Sequence, residues 1–174
     1  VYQGITRTGA VWDGRSVVAT VDLGSSYSYG LESIGSSSTH QWRTISANRT
    51  GTINGPTRID VPYYEQYLKQ FQANTVSPGT PMSSANYIRL DYTRYGWASK
   101  AALWDGHGHT DWPDAGSSYY YSQASSASTI YQRWCSSIQK RGIITDSSTV
   151  AWNFYHQYRP AISLVGTDSS HTVT

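Results

Sequence analysis

From Asn86 to Tyr95 the chain alternates in polarity without a break. Ile88, Leu90 and Tyr92 fall on one side of an extended segment, and Tyr87, Arg89, Asp91 and Thr93 on the other. Side chains of a strand point to opposite faces in turn, so this pattern separates an apolar from a polar face only if the backbone is extended. Burying the apolar side contributes roughly 1.5–3 kcal/mol per side chain. Gly96 follows and permits a bend. A half-buried strand here requires a sheet beneath it, and much of the remaining sequence offers further strands.

Residues 1–23 read as strands. Ala10-Val11-Trp12 leads into Asp13-Gly14, a tight-turn dipeptide, and then into the β-branched run Ser16–Val21. Trp42–Ile53 holds another extended stretch. Thr57–Tyr64 alternates, with Ile59 and Val61 opposite Arg58 and Asp60, until Pro62 removes a ladder donor. Glu65–Phe71 carries the one helical signal, since Tyr64, Leu68 and Phe71 recur at i, i+4 and i+7. Ala101–Trp104, Val150–Tyr155 and Ile162–Val165 complete the apolar segments. The Gly-, Ser-, Tyr-rich residues 24–41, the Pro-bearing residues 74–86 and the His-bearing residues 105–118 read as loops. Short strands, irregular spacing and little helix predict an all-β sandwich in a single domain over 1–174. No internal repeat points to a propeller or solenoid.

Composition closes several other routes. Charged residues are 14% and aromatics 14%, the reverse of a disordered chain. Two Glu and three Lys are too few for a coiled coil. No apolar run reaches the length of a transmembrane helix. A single cysteine, Cys135, excludes an internal disulfide framework and a Cys-based zinc site. A net charge of +2 does not point to specific nucleic-acid recognition.

Chemistry-bearing residues are sparse. Glu32 and Glu65 are the only glutamates, and neither lies in a strong strand pattern, so a glycosidase carboxylate pair is not evident. His107, His109 and Asp111 alternate and would share a face if extended, which suits a metal, whereas the flanking glycines favour a polar loop. No Gly-x-Ser-x-Gly elbow and no phosphate-binding loop occur. Cys135, between Trp134 and Ser136, reads as a buried, inert thiol. Asn48-Arg49-Thr50 matches a glycosylation acceptor. No catalytic, cofactor-binding or metal-binding residue is assigned, and no cofactor is expected. What remains is aromatic surface: Tyr119-Tyr120-Tyr121, Tyr131 with Trp134, and Trp152 to Tyr158. Seven Trp and 15 Tyr exceed what one small core hides, and Arg outnumbers Lys ten to three. Tyr, Trp and Arg are the residues that contact surfaces favour.

The stretch Asn54-Gly55-Pro56-Thr57-Arg58-Ile59-Asp60-Val61-Pro62-Tyr63-Tyr64 resembles an element of picorna-like virus capsid proteins, in which an alternating strand ends in Val/Ile-Pro-Tyr-Tyr. Tyr87–Tyr95 and Gly96 stand where that family has its next strand and bend. Trp97 and Ala98 replace its acidic pair. The resemblance implies a jelly-roll-like antiparallel β-sandwich, with residues 105–174 as a C-terminal extension. A rival resemblance is to family 11 xylanases, carried by Tyr95-Gly96-Trp97, Trp104-Asp105-Gly106-His107-Gly108 and Tyr131-Gln132-Arg133-Trp134, in an order that family does not use.

The expected function is that of a structural coat or capsid subunit, in the virion or extracellular. It would act by self-association through aromatic- and Arg-rich interfaces, with copies of itself and other coat subunits as partners. The alternatives are a secreted carbohydrate-active sandwich, as glycan-binding module or glycoside hydrolase, and an extracellular filament subunit.

Overall fold

The structure, a computed structural model, describes residues 3–11 and 15–163. Among these residues the chain is all β apart from one 3-10 turn at Ala47–Arg49. The first sheet is built from β5 (Lys69–Thr75), β8 (His109–Asp111), β10 (Gln132–Cys135) and β12 (Thr149–Tyr158), in the order β10-β12-β5-β8. The second is built from β6 (Ile88–Arg94), β7 (Trp97–Leu103), β9 (Ser118–Tyr121) and β11 (Arg141–Ile143), in the order β11-β9-β6-β7. Two ribbons flank them: β1 (Ser26–Ser28) with β3 (Thr50–Thr52), and β2 (His40–Arg43) with β4 (Tyr64–Tyr67). All pairings are antiparallel except β5 with β12, which run parallel from Thr149↔Gln70 to Phe154↔Thr75.

The two four-stranded sheets face each other across one core, as an all-β sandwich. Period-two burial places Phe71 and Ala73 of β5, Ile88, Leu90 and Tyr92 of β6, Tyr119 and Tyr121 of β9, and Val150 and Phe154 of β12 inside. The Tyr121 hydroxyl crosses the core and donates to the carbonyl of Val150 at 2.8 Å, joining the sheets directly. Residues beyond Asp105 supply five strands, of which β9 and β12 lie inside their sheets.

Two cross-strand pairs repeat one device. Tyr27 lies over Gly51, and Tyr119 over Gly142. A Cβ on Gly51 would meet the Tyr27 hydroxyl at 2.6 Å and its ring at 2.8 Å, and one on Gly142 the Tyr119 hydroxyl at 2.5 Å and its ring at 2.7 Å. Glycine is required at both because the partner ring occupies the space where a side chain would stand.

Several expectations are corrected. Glu65–Phe71 is not helical: Lys69, Phe71 and Ala73 point inward in a strand, and Gln66 is buried by β2 pairing, a demand that overrides the i, i+4, i+7 spacing. The Thr57–Pro62 strand does not form, and the ribbon begins at Tyr64, past the proline. The loop over 24–41 contains β1 and the start of β2, and Trp42–Ile53 is divided by the 3-10 turn. Ser16–Val21 forms no strand among the described residues. Trp12, Asp13 and Gly14 lie outside the described residues, as do Leu164 and Val165. Ile162 and Ser163 belong to no strand.

One inward residue of β5 is charged. Lys69 is almost fully buried, and its Nζ donates to Asp146 Oδ1 at 2.5 Å and to Ser148 Oγ at 2.9 Å. The Lys69 ammonium, with help from Ser148, holds the Asp146 carboxyl well below the ordinary carboxylate range. A lowered folded-state pKa gives stability that is present above the unfolded value of about 4 and is lost as pH falls through the lowered value. Asp146 is exposed, so solvent screens the pair. Asp146→Asn is expected to lower the thermal midpoint at neutral pH and to flatten its decline below about pH 4. Thermal unfolding scanned from neutral to strongly acidic pH checks this; an unchanged acid limb overturns it.

Candidate functional site

The most polar cluster inside the sandwich joins β6 to β8. The Tyr92 hydroxyl donates to Asp111 Oδ2 at 2.5 Å and accepts from His109 Nε2 at 2.9 Å, which fixes the imidazole proton on Nε2. Arg94 Nη1 lies 2.8 Å from the other oxygen of Asp111. Burial, and then the bond to Asp111, pushes the Tyr92 hydroxyl above its ordinary value, so it stays protonated. The cluster has acid–base components but no Ser, Thr or Cys nucleophile among its hydrogen-bonded members. Its chemistry is that of a lock between two strands at the sandwich edge. His107, expected to share the face of His109 and Asp111, stacks instead on Trp104 with ring centroids 3.9 Å apart. Among the described residues, no three His, Cys, Asp or Glu side chains converge on one point.

The carboxylates are committed elsewhere. Glu32 pairs with Arg43 at 3.0 Å and Glu65 with His40 at 2.9 Å. Glu32 lies opposite Arg43, and Glu65 opposite Trp42. Trp42 and Arg43 are sequence neighbours on one strand, so the two glutamates sit on opposite faces of the ribbon and do not face one another. Asp105 accepts from Thr75 N, Thr75 Oγ1 and Met82 N, all at 2.6 Å, and pins the 76–82 loop. Asp114 accepts from Tyr95 N at 2.8 Å and Gly96 N at 2.7 Å.

The outer faces carry the remaining arginine and aromatic side chains. Cross-strand partners share a face, so Arg89 and Asp91 of β6, Tyr120 of β9 and Arg141 and Ile143 of β11 all point away from the core. Arg89 Nε donates to Asp91 at 2.7 Å and its Nη2 to the Tyr120 hydroxyl at 3.3 Å. On the first sheet, Arg133 and Cys135 of β10 face outward beside Tyr155 and Gln157 of β12. These four residues line a shallow groove of about 670 Å³ with Gln123 and Ser136. Cys135 is half-buried there rather than sealed in the core, because Trp134 takes the inward position, and its Sγ donates to Gln157 Oε1 at 3.1 Å. Exposed Ile130, Tyr131 and Tyr158 continue the apolar surface at the end of the same two strands.

No family model matches this chain, and no curated protein or solved structure does.

The aromatic excess read from composition is visible only in part as exposure. Of the six described tryptophans, Trp134 is buried, Trp97 is 72% exposed, and the other four are half-buried. Exposed tyrosines carry more of the outer surface than tryptophans do. The sequence signal for Tyr131, Tyr155 and Tyr158 was their density near the C-terminal strand. Trp97, which the sequence singled out only within the two resemblances, carried no signal of exposure; it is displayed because the Tyr95-Gly96 turn ends β6 immediately before it.

Proposed function

We propose that the chain is a structural coat-type subunit that acts by self-association through aromatic- and arginine-bearing outer surface. The observation that carries this reading is the make-up of the exposed surface. Tyr155 and Arg133 are exposed on the outer face of the first sheet and Ile143 and Arg141 on that of the second, and Ile130, Tyr131 and Tyr158 are exposed at the end of β10 and β12. Surfaces of this composition are the usual core of a protein contact. The resemblance of Val61-Pro62-Tyr63-Tyr64 to a capsid element agrees with this assignment. In this chain that element is a brace, with the Tyr63 hydroxyl donating to the Gly30 carbonyl and Tyr64 packed edge-on against Tyr95.

Sedimentation velocity and electron microscopy of the chain at micromolar concentration test the reading. Concentration-dependent growth into regular particles is expected, and regular fibres would assign the filament alternative. A stable monomer overturns it. Tyr158→Ala, at an exposed position, is expected to weaken association by about 2 kcal/mol, or roughly thirtyfold, without lowering subunit stability.

A glycan-binding module is favoured by one observation: Trp97 stands exposed next to Tyr95 and Tyr64, rings on which a sugar face could stack. A glycan array with wild type and Trp97→Ala separates the two readings, since a silent array removes the second.

A further inference from the structure

The segment Ser16–Leu23 carries a strand pattern without a strand. Val17, Ala19, Val21 and Leu23 fall on one side of an extended chain, and Ser16, Val18, Thr20 and Asp22 on the other. In the structure the segment runs exposed, with Val18 98% and Leu23 77% accessible, and it pairs with no described strand. Asp22 accepts from Gly4 N and Ser25 N, and the chain joins the first ribbon at Gly24, whose N–H donates to Ile53 O at 2.8 Å. Four apolar side chains in a row on one face have no core of their own to cover.

The sheets contain a matching open edge. The outer edge of β10 is covered by residues 123–125, through Ser125 N to Trp134 O and Ser136 N to Gln123 O. β4 is covered by residues 113–115, and β2 by residues 31–33. β8 and β11 are edges of three residues each. β7 is the one long edge left open among the described residues: seven residues, paired only with β6, with no proline. On its inner side Leu103 is buried, Ser99 and Ala101 are half-buried and Trp97 is exposed, so the sandwich is progressively uncovered along this edge toward Trp97. Lys100, the usual kind of guard on such an edge, points to the outer face and leaves the hydrogen-bonding groups free.

We propose that Ser16–Leu23 is a donor strand that adds to the β7 edge of a second copy. The added strand would place Val17, Ala19, Val21 and Leu23 over Trp97 and Ala101 and would pair backbone groups that water satisfies in the single chain. The occupant is a second copy because the segment of the isolated chain lies off its own β7 edge. Within the single chain Ser16–Leu23 pairs with no described strand, β7 included. Exchange of one element between copies is a low-cost route to an assembly. The inference rests on the self-association reading and specifies how that association is built.

Hydrogen exchange on the full chain, with the double variant Val18→Pro and Thr20→Pro, tests it. Proline removes ladder donors, and both positions are exposed, so the subunit itself is expected to unfold as wild type does. In assembled wild type, exchange should slow at 16–23 and at 97–103 together, and only at concentrations where the chain associates. In the variant both segments should return to fast exchange, and self-association should weaken at least tenfold. A variant that assembles as wild type does, or protection of 16–23 without 97–103, overturns the donor strand and leaves the coat reading standing. Protection that is independent of concentration assigns the pairing within one chain and likewise overturns the proposal. A wild type that stays monomeric overturns both.

Discussion

Asp114→Ala is expected to destabilise the subunit by about 2–4 kcal/mol, the scale of leaving several partly buried donors unpaired. The side chain is buried at the base of the β6–β7 hairpin. One carboxylate oxygen accepts from Tyr95 N and from Gln66 Nε2, the other from Gly96 N. Gln66 is fully buried and in turn accepts from Gln41, so the network reaches β2. The turn it holds is a two-residue one closed by Arg94↔Trp97, with φ of 54° at Tyr95 and 74° at Gly96. That geometry suits the twist of a hairpin but strains a tyrosine, and Asp114 compensates by accepting both turn amides. Urea unfolding should show the loss, and hydrogen exchange should speed up over 88–103. A change below about 1 kcal/mol would mean that water replaces the carboxylate without cost. Asp114→Asn should fall between the two, since it keeps one acceptor and points an amine at a backbone N–H.

That hairpin also shows where the sequence was readable. Ile88 to Tyr92 alternates because one face lies on the core, and Gly96 stands where a positive φ is needed, so strand and bend were legible from residue types alone. Asp114 was not, because its partners are eighteen and more residues away and a single aspartate in a loop carries no periodic signal. Glu65–Phe71 misled for a different reason. Tyr64, Leu68 and Phe71 fit one helical face, yet Lys69, Phe71 and Ala73 fit a strand equally well, and sheet pairing decided between them. Lys69 disguised the inward face, since its buried ammonium is stabilised by Asp146, remote in sequence.

Ser16–Val21 is the converse case. Its β-branched alternation is as clear as that of Ile88–Tyr92, yet it lies in no strand of the single chain. The difference is supply of a partner: β6 finds β7 two residues later, and the early segment pairs with no strand among the described residues. A strand signal without a strand and a long edge without a cover are complementary deficits. This is why the proposed contact surface and the proposed donor strand describe one mode of association. The candidate site was correspondingly hard to read, because contact surfaces depend on which ring of an alternating pair faces out. Tyr119 and Tyr121 face in and Tyr120 faces out, a distinction set by the register with β6.

Phe71→Ala is expected to cost about 3–5 kcal/mol, at the upper end for a buried ring. Phe71 is fully buried on β5, and its ring centroid lies 6.0, 5.5 and 6.5 Å from those of Tyr92, Tyr119 and Tyr121. The cost of a cavity depends on whether its walls can move in. Here each wall is fastened: Tyr92 to Asp111 and His109, Tyr121 to the Val150 carbonyl, and Tyr119 over Gly142. A space of that kind persists, and its lining does not recover the dispersion attraction that the ring supplied. Phe71→Leu, which refills most of it, should cost about 1.5 kcal/mol or less. Chemical denaturation of the dissociated subunit measures both, and a Phe71→Ala cost below about 2 kcal/mol would show that the tyrosines collapse inward despite their bonds. The same pair of variants bears on assembly. Phe71 faces the core from the sheet that carries Tyr155 and Arg133 outward, whereas Tyr158 is exposed at the end of that sheet and has no part in the core. If contact through exposed aromatic surface drives association, Phe71→Leu should assemble as wild type does at temperatures where it is folded, while Tyr158→Ala should not. The opposite ranking would make association a property of loosened, partly unfolded chains rather than of the folded surface.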